Sequence, residues 1–463
     1  MRFISVRIIV PFRPAGAELS AEYTENSRNR QLFREIPDLF FPRKTPILER
    51  PEKPGRPYGT ERSPRIRRNG RKRLTHISHE TMKRFVWMLL LLPIGLQAQV
   101  RTERLLEKGW RFTRDDAPAF AEPSYDDSRW QEVTVPHDWA IYGPFSAGND
   151  LQHTAIAQDG QTQAVEHAGR TGGLPFVGTG WYRLRFEVPE RNEGRRCTLL
   201  FDGAMSHARV YVNRWPNGYN SFHTDITPLL NPGGENLLAV RLENLPESSR
   251  WYPGAGIYRN VHFIVTDEAH VPVWGTQIIT RRADEASARV RQCTALAVPQ
   301  GKSPADYAIE TAVTDPAGPD FGDHCFEQEF TIDRPALWSP DTPALYTSTS
   351  EIYEGGELKD RYVTVFGIRT VEAVQGEGFR LNGKPLKFRG VCLHHDLGPL
   401  GGIVNESAIR HRIRLLKEMG CNAIRTSHNM PAPELIEICD ETGMMVMAES
   451  FDEWETKKVE NGS

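Results

Sequence analysis

The chain has 463 residues, a formal net charge of −3 and a hydrophobic fraction of 39%, an ordinary soluble balance with room for about three domains. No basic excess points to nucleic acid, and the charge pattern does not mark a membrane-surface protein. Six cysteines lie far apart with no CxxC pair, which argues against a zinc knuckle or a dithiol redox motif.

Residues 1–81 are rich in Arg and Pro with little apolar periodicity, and are expected to be a disordered or non-native extension. Met82-Lys83-Arg84 then precedes an apolar run from Phe85 to Leu92, and Leu96-Gln97-Ala98 follows. A basic start, a short apolar stretch and a small residue at the end make a secretory signal peptide, too short for a membrane span. Residues 82–98 are therefore read as that signal, with translation starting at Met82 and a mature chain exported from near Gln99. A basic arm followed by an internal anchor is the competing reading.

From Trp110 to about Thr266 the pattern is one of short alternating strands, such as Trp181–Val188, Cys197–Phe201, Ala208–Val212 and Leu237–Leu242. Turn residues separate them and no helix interrupts, which predicts a β-sandwich over residues 99–267. The Gly-rich stretch between Pro144 and Gly180 carries little pattern. Residues 268–372 show weaker strands at Thr276–Arg281, Tyr307–Thr314, Gln328–Ile332, Leu345–Tyr353 and Tyr362–Phe366, somewhat fewer than the seven of an immunoglobulin-like sandwich.

Residues 373–463 change character. Pro385–Cys392 reads as a strand, Ser407–Met419 as a helix capped by Asn405 and stopped by Gly420, and Ala423–Thr426 as a strand. Pro433 opens a second helix that Gly443 closes, and Met444–Met447 is the third strand. Strands alternating with helices predict a parallel sheet, and in such sheets function gathers at the carboxyl ends of the strands. Those ends carry His394 with Asp396, then Arg425 with His428 and Asn429, then Glu449, Glu453 and Trp454. Any one of these is best read as an ordinary loop residue; their convergence on three successive strand ends is better read as a site. Cys392, Cys421 and Cys439 fall in these strands and helices, where a buried free thiol is the default.

Several motifs, in order, resemble glycoside hydrolase family 2, and most closely its secreted bacterial β-galactosidases. They are Val135-Pro136-His137-Asp138-Trp139, Gly178-Thr179-Gly180-Trp181-Tyr182-Arg183, Ser249-Arg250-Trp251-Tyr252-Pro253-Gly254, Leu337-Trp338-Ser339-Pro340-Asp341 and Phe366-Gly367-Ile368-Arg369. Arg389-Gly390-Val391, Arg425-Thr426-Ser427-His428-Asn429 and Glu449-Ser450-Phe451-Asp452-Glu453-Trp454 continue the series. The resemblance covers about residue 102 to the end. It implies a jelly-roll sugar-binding domain, an immunoglobulin-like spacer and a (β/α)8 TIM barrel. It also implies retaining hydrolysis of terminal β-D-galactosides by two glutamates about 5 Å apart.

Both glutamates belong to later barrel strands in that family. A whole barrel needs ~250 residues, so the chain is expected to be an N-terminal fragment with an incomplete barrel of three strands and no catalytic pair of its own. Glu449 and Glu453 are not assigned those roles. By resemblance, Arg425 supports the nucleophile, and His394, His428 and Asn429 contact the sugar. Arg250, Trp251 and Tyr252 bring an aromatic face and a guanidinium from the first domain. Asp396, Glu449, Glu453 and Trp454 are further pocket candidates. Some relatives bind magnesium at the position of Glu453, but the flanking residues differ and no metal or other cofactor is predicted. The expected partner is a glycan ending in a β-linked galactose. The Asn213-Arg214-Trp215 turn is shorter than in relatives, and the open parallel edges are expected to lower solubility. Alternatives are a non-catalytic carbohydrate-binding β-sandwich protein and a β-glucuronidase or β-mannosidase relative.

Overall fold

The computed structural model describes residues 100–154, 162–163, 165–168, 174–188, 194–211, 213–214, 220–249, 251–314 and 327–450. The N-terminal extension, the signal segment, Trp215, Arg250, Glu453 and Trp454 lie outside these residues.

Alternating bulky and polar side chains give the early strands one apolar face each, and two antiparallel sheets close over those faces. One sheet orders Thr102–Leu105, Val261–Asp267, Arg195–Phe201 and Phe222–Asp225. The other orders Gln131–Val133, Trp110–Thr113, Gly178–Glu187, Glu235–Asn244, Arg209–Val210 and Asn213–Arg214. Leu184, Leu238, Val240 and Leu242 from the second sheet meet Leu199, Phe201, Val261 and Phe263 from the first in one buried core. The strand predicted over Ala208–Val212 is shorter than the pattern suggests, because the chain turns at Tyr211 and pairs Arg209 with Arg214. Within the Gly-rich stretch, Leu151–Thr154 pairs with Val165–Ala168 as a small antiparallel hairpin.

The second domain has two three-stranded antiparallel sheets. Thr276–Ala283, Ser287–Thr294 and Glu327–Asp333 form one; Tyr307–Thr314, Tyr346–Glu354 and Glu357–Phe366 form the other. The sequence pattern predicts no strand at Ser287–Thr294, because two of its inward positions are polar. Gln292 and Thr294 are buried there, and the Gln292 amide donates to Thr294 Oγ1 and Ser350 Oγ at 3.0 Å while accepting from Ser348 Oγ at 2.6 Å. Saturated hydrogen bonding makes a buried amide tolerable, and hides the strand from a search for apolar alternation.

The last region carries the parallel sheet, Gly390–Leu393, Ala423–Thr426 and Met445–Met447 in that order. Helices Glu406–Glu418 and Pro433–Thr442 connect the strands and cover one face, burying Ile409, Ile413, Leu416 and Ile438 against Ile424. The local signals act as their chemistry dictates. Asn405 accepts from Ala408 N at 2.9 Å, Pro433 occupies the first turn of its helix, and Gly443 stops that helix with φ +73°. The predicted strand over Pro385–Cys392 is instead divided. Lys384–Pro385 ends a small antiparallel sheet with Val371–Val374 and Gly378–Leu381, and the parallel strand begins only at Gly390. A Cβ at Gly390 would overlap the Ala423 carbonyl, so that start requires glycine.

Buried thiols are the expectation for all three cysteines here, and it holds only for Cys439. Cys421 is half-buried and Cys392 is exposed. Cys392, Arg425 and Met447 lie in one row across the three strands, alternate to the row that packs on the helices. The second domain holds this region through the Leu337–Pro340 motif. Trp338 is 2% exposed and its Nε1 donates to Asp440 O at 2.8 Å, while Lys417 Nζ donates to Pro340 O at 3.0 Å.

Candidate functional site

The carboxyl ends of the three parallel strands converge. The first ends in His394, the second in Ser427, His428 and Asn429, and the third leads into Glu449. His394 Nδ1 lies 2.6 Å from Ser427 O. A carbonyl can only accept, so Nδ1 carries the proton and Nε2 of the neutral ring is left as an acceptor. His428 Nδ1 lies 2.8 Å from Glu449 Oε2, and Arg425 Nε donates to Glu449 Oε1. Glu449 thereby joins the second strand end to the third, and its own N–H donates to Thr426 Oγ1 at 3.1 Å. His428 Nδ1 also lies 3.3 Å from Arg425 Nη2, so one nitrogen meets both the guanidinium and the carboxylate. The two imidazole centroids are 6.1 Å apart, a spacing at which each ring can take one hydroxyl of a single ligand.

The sandwich contributes the wall behind them. The Trp251 ring lies nearly parallel to His394, 15° between planes and 5.1 Å between centroids, and meets His428 edge-on at 5.6 Å. From sequence, Trp251 is either an aromatic facing the sugar or a core aromatic fixing the interdomain contact; it is 6% exposed and His394 stacks on its ring. Its Nε1, like Ser427 Oγ and Asn429 Nδ2, is a buried polar atom with no hydrogen-bond partner among the described residues; such atoms normally find one in the protein, in a bound molecule or in water. Ser249 fixes the turn, its hydroxyl donating to Trp251 O at 3.0 Å.

The other sequence candidates are placed as follows. Tyr252 gives its hydroxyl to Asp138 rather than to open space. Asp396 turns back on its own loop, where its carboxylate accepts from Gly398 N at 3.3 Å and its carbonyl from Arg412 Nη2 at 2.6 Å. Arg250, Glu453 and Trp454 fall outside the described residues.

Three positioning groups carry no role in the sequence reading. Asp138 is fully buried at the junction and holds both the Tyr252 turn and the Gly402 N–H. Arg259, 1% exposed, donates to Met430 O at 2.8 Å and Pro431 O at 3.4 Å, just beyond the His428 loop. His395 bonds the Pro253 carbonyl through Nε2 at 3.1 Å, and burial pushes its pKa down to about 4, so it is neutral there. Asp138 lies inside a quoted motif, but only its three-dimensional partners reveal what it does.

Comparison with known proteins decides the family. Residues 273–369 match the model described as Glycosyl hydrolases family 2, and residues 372–461 match that of the Glycosyl hydrolases family 2, TIM barrel domain. The chain carries two domains of glycoside hydrolase family 2. Members of this family are glycoside hydrolases. The chain is 39% identical over 368 residues to beta-galactosidase BoGH2A of Bacteroides ovatus, covering 76% of this chain and 41% of that protein. It is 27% identical over 389 residues to a beta-glucuronidase of Bacteroides fragilis, covering 78% of this chain and 51% of that one. A solved glycosyl hydrolase family 2 member from Bacteroides cellulosilyticus superposes with a TM-score of 0.70 at 32% identity, over 78% of this chain and 47% of that chain. The chain thus spans about half or less of the length of these family 2 relatives.

Proposed function

We propose that the chain forms part of a β-galactosidase-type glycoside hydrolase, and that its strand-end cluster holds the terminal β-galactosyl unit of a glycan. The observation that carries this reading is the His394–His428 pair, 6.1 Å between centroids, beside the Arg425–Glu449 pair. Two imidazoles and a charged pair gathered at adjacent strand ends suit adjacent hydroxyls of a pyranose. A glucuronide reading has support from relatives named beta-glucuronidase. A uronate, however, asks for an unpaired cation, and Arg425 is already matched by Glu449. The relative at 39% identity named a beta-galactosidase adds to the galactoside side.

Among the described residues the parallel sheet has three strands, and the cluster sits at their carboxyl ends. The cluster is proposed to bind the sugar, and the protein to be exported after cleavage near Gln99. The test is calorimetric titration of methyl β-galactoside and methyl β-glucuronide. Preferential galactoside binding, weakened in an Arg425→Ala variant, is the expected result. Equal binding by that variant would refute the role of the strand-end cluster; preferential glucuronide binding would refute the specificity.

A further inference from the structure

Two loops meet where the sandwich touches the parallel sheet, and they approach unusually closely. The turn Trp251–Ala255 comes from the sandwich, and the loop from His395 to Gly402 follows the first parallel strand. A Cβ built on Gly402 would sit 3.3 Å from the Gly254 Cα, and one on Gly401 would overlap both Ile141 and the Asp138 carboxylate. Gly254 at φ +72° and Gly401 at φ +64° are also in the left-handed region that favours glycine. The backbones approach this closely only because these positions carry no Cβ.

That carboxylate is Asp138, with no exposed surface and no cation among its described partners. Its Oδ1 accepts from Ala140 N and Ala255 N, each at 3.0 Å, both within the sandwich. Its Oδ2 accepts from the Tyr252 hydroxyl and, across the junction, from Gly402 N at 2.8 Å. A buried charge held by hydrogen bonds alone is a costly way to fill space. What it supplies is acceptor capacity: four donors from two domains converge on two oxygens, which no neutral side chain of that size can accept.

We propose that Asp138 is a positioning residue for the sugar site, tying the Trp251–Ala255 turn of the sandwich to the His395–Gly402 loop of the sheet so that Trp251 lies against His394. The tie matters because His394 and His428 belong to the sheet while the wall behind them belongs to the sandwich. Arg259 and His395 bridge the same boundary, His395 through the Pro253 carbonyl, but Asp138 is bonded to both Ala255 N of the turn and Gly402 N of the loop. The inference rests on the sugar-site reading for its consequence, but the tie itself is a statement about Trp251 and His394.

Asp138→Asn separates the tie from mere filling. The amide has nearly the same shape, yet presents an NH2 group to one pair of donors in either orientation. If Asp138 only fills space, losing a buried charge leaves the protein as stable or more so and leaves Trp251 in place. If it ties the loops, the contact opens. In the full chain, the emission of Trp251 is obtained as the difference between each protein and its Trp251→Phe counterpart. The expected result is a red-shifted Trp251 signal in Asp138→Asn, with methyl β-galactoside binding weakened tenfold or more. An unchanged Trp251 signal overturns the proposal. Should Asp138→Asn fail to fold, Tyr252→Phe removes one donor and keeps the ring; a smaller shift in the same direction is expected, and no shift overturns the tie. If the wild-type chain binds no galactoside, the sugar-site reading fails, while the Trp251 signal still decides the tie.

Discussion

At the scale of single residues, protons are placed by what each nitrogen touches. His394 and His428 are legible in the sequence as site residues because they follow parallel strands, but their partners are not. Ser427 O takes the Nδ1 of His394 and Glu449 that of His428, and both partners come from other strand ends. His262 shows the same dependence outside the site. Its Nε2 meets Asp202 Oδ2 and its Nδ1 meets Glu103 Oε1, each at 2.7 Å. Burial opposes the imidazolium, but the Asp202 and Glu103 carboxylates outweigh it and bring the pKa up to about 10. A raised folded-state value means that protonation favours folding. The gain is complete below the unfolded value of about 6.5 and is lost as pH climbs through the folded value. The melting-temperature deficit of His262→Gln should therefore be largest near about pH 6 and shrink toward about pH 10. A deficit that stays constant across that range would show that the imidazole only fills space.

At the scale of elements, the parallel-sheet region was the most readable part of the chain. Its helices carry apolar residues at helical spacing and have chemically explicit ends, so Asn405, Gly420, Pro433 and Gly443 mark them in the structure within a residue or so. The Asn405 cap gives a direct check. Removing its acceptor in Asn405→Ala leaves the Ala408 N–H to water and should cost the helix about 1 kcal/mol. Hydrogen exchange in the first turn of Glu406–Glu418 should then quicken by roughly fivefold to tenfold, with distant strands unaffected. Unaltered exchange there would show that packing of Ile409 and Ile413 alone fixes the helix start. Less was legible where the pattern is not apolar. Ser287–Thr294 hides behind buried Gln292 and Thr294, and the Pro385–Cys392 run looks continuous although Pro385 and Gly390 play opposite parts. The site was legible only in halves: each strand end could be read, but the wall formed by Trp251 depends on a contact more than a hundred residues away in sequence.

At the scale of the whole molecule, buried polar groups at the seams join the domains alongside apolar contacts such as Trp338 with Ala423 and Met445. The seam between the first two shows how such a joint can be dissected. Asp360, on a strand of the second domain, has a fully buried side chain. It accepts from Arg101 Nε at 3.0 Å, from Arg101 Nη2 at 2.7 Å and from Val271 N at 2.8 Å. Arg101 also lies over the Tyr362 ring, 4.8 Å from its centroid. Replacing Arg101 by Met strands the carboxylate with a single N–H, which costs about 3–5 kcal/mol when a buried pair is broken from one side. The charge, not the missing contact, dominates that loss. Combining Arg101→Met with Asp360→Asn removes the charge and keeps an oxygen for Val271 N–H, so the double variant should recover most of the stability in a urea titration. If single and double variants unfold at the same urea concentration, the Arg101 side chain acts through its packing on Tyr362, and the seam is held by contact rather than by charge.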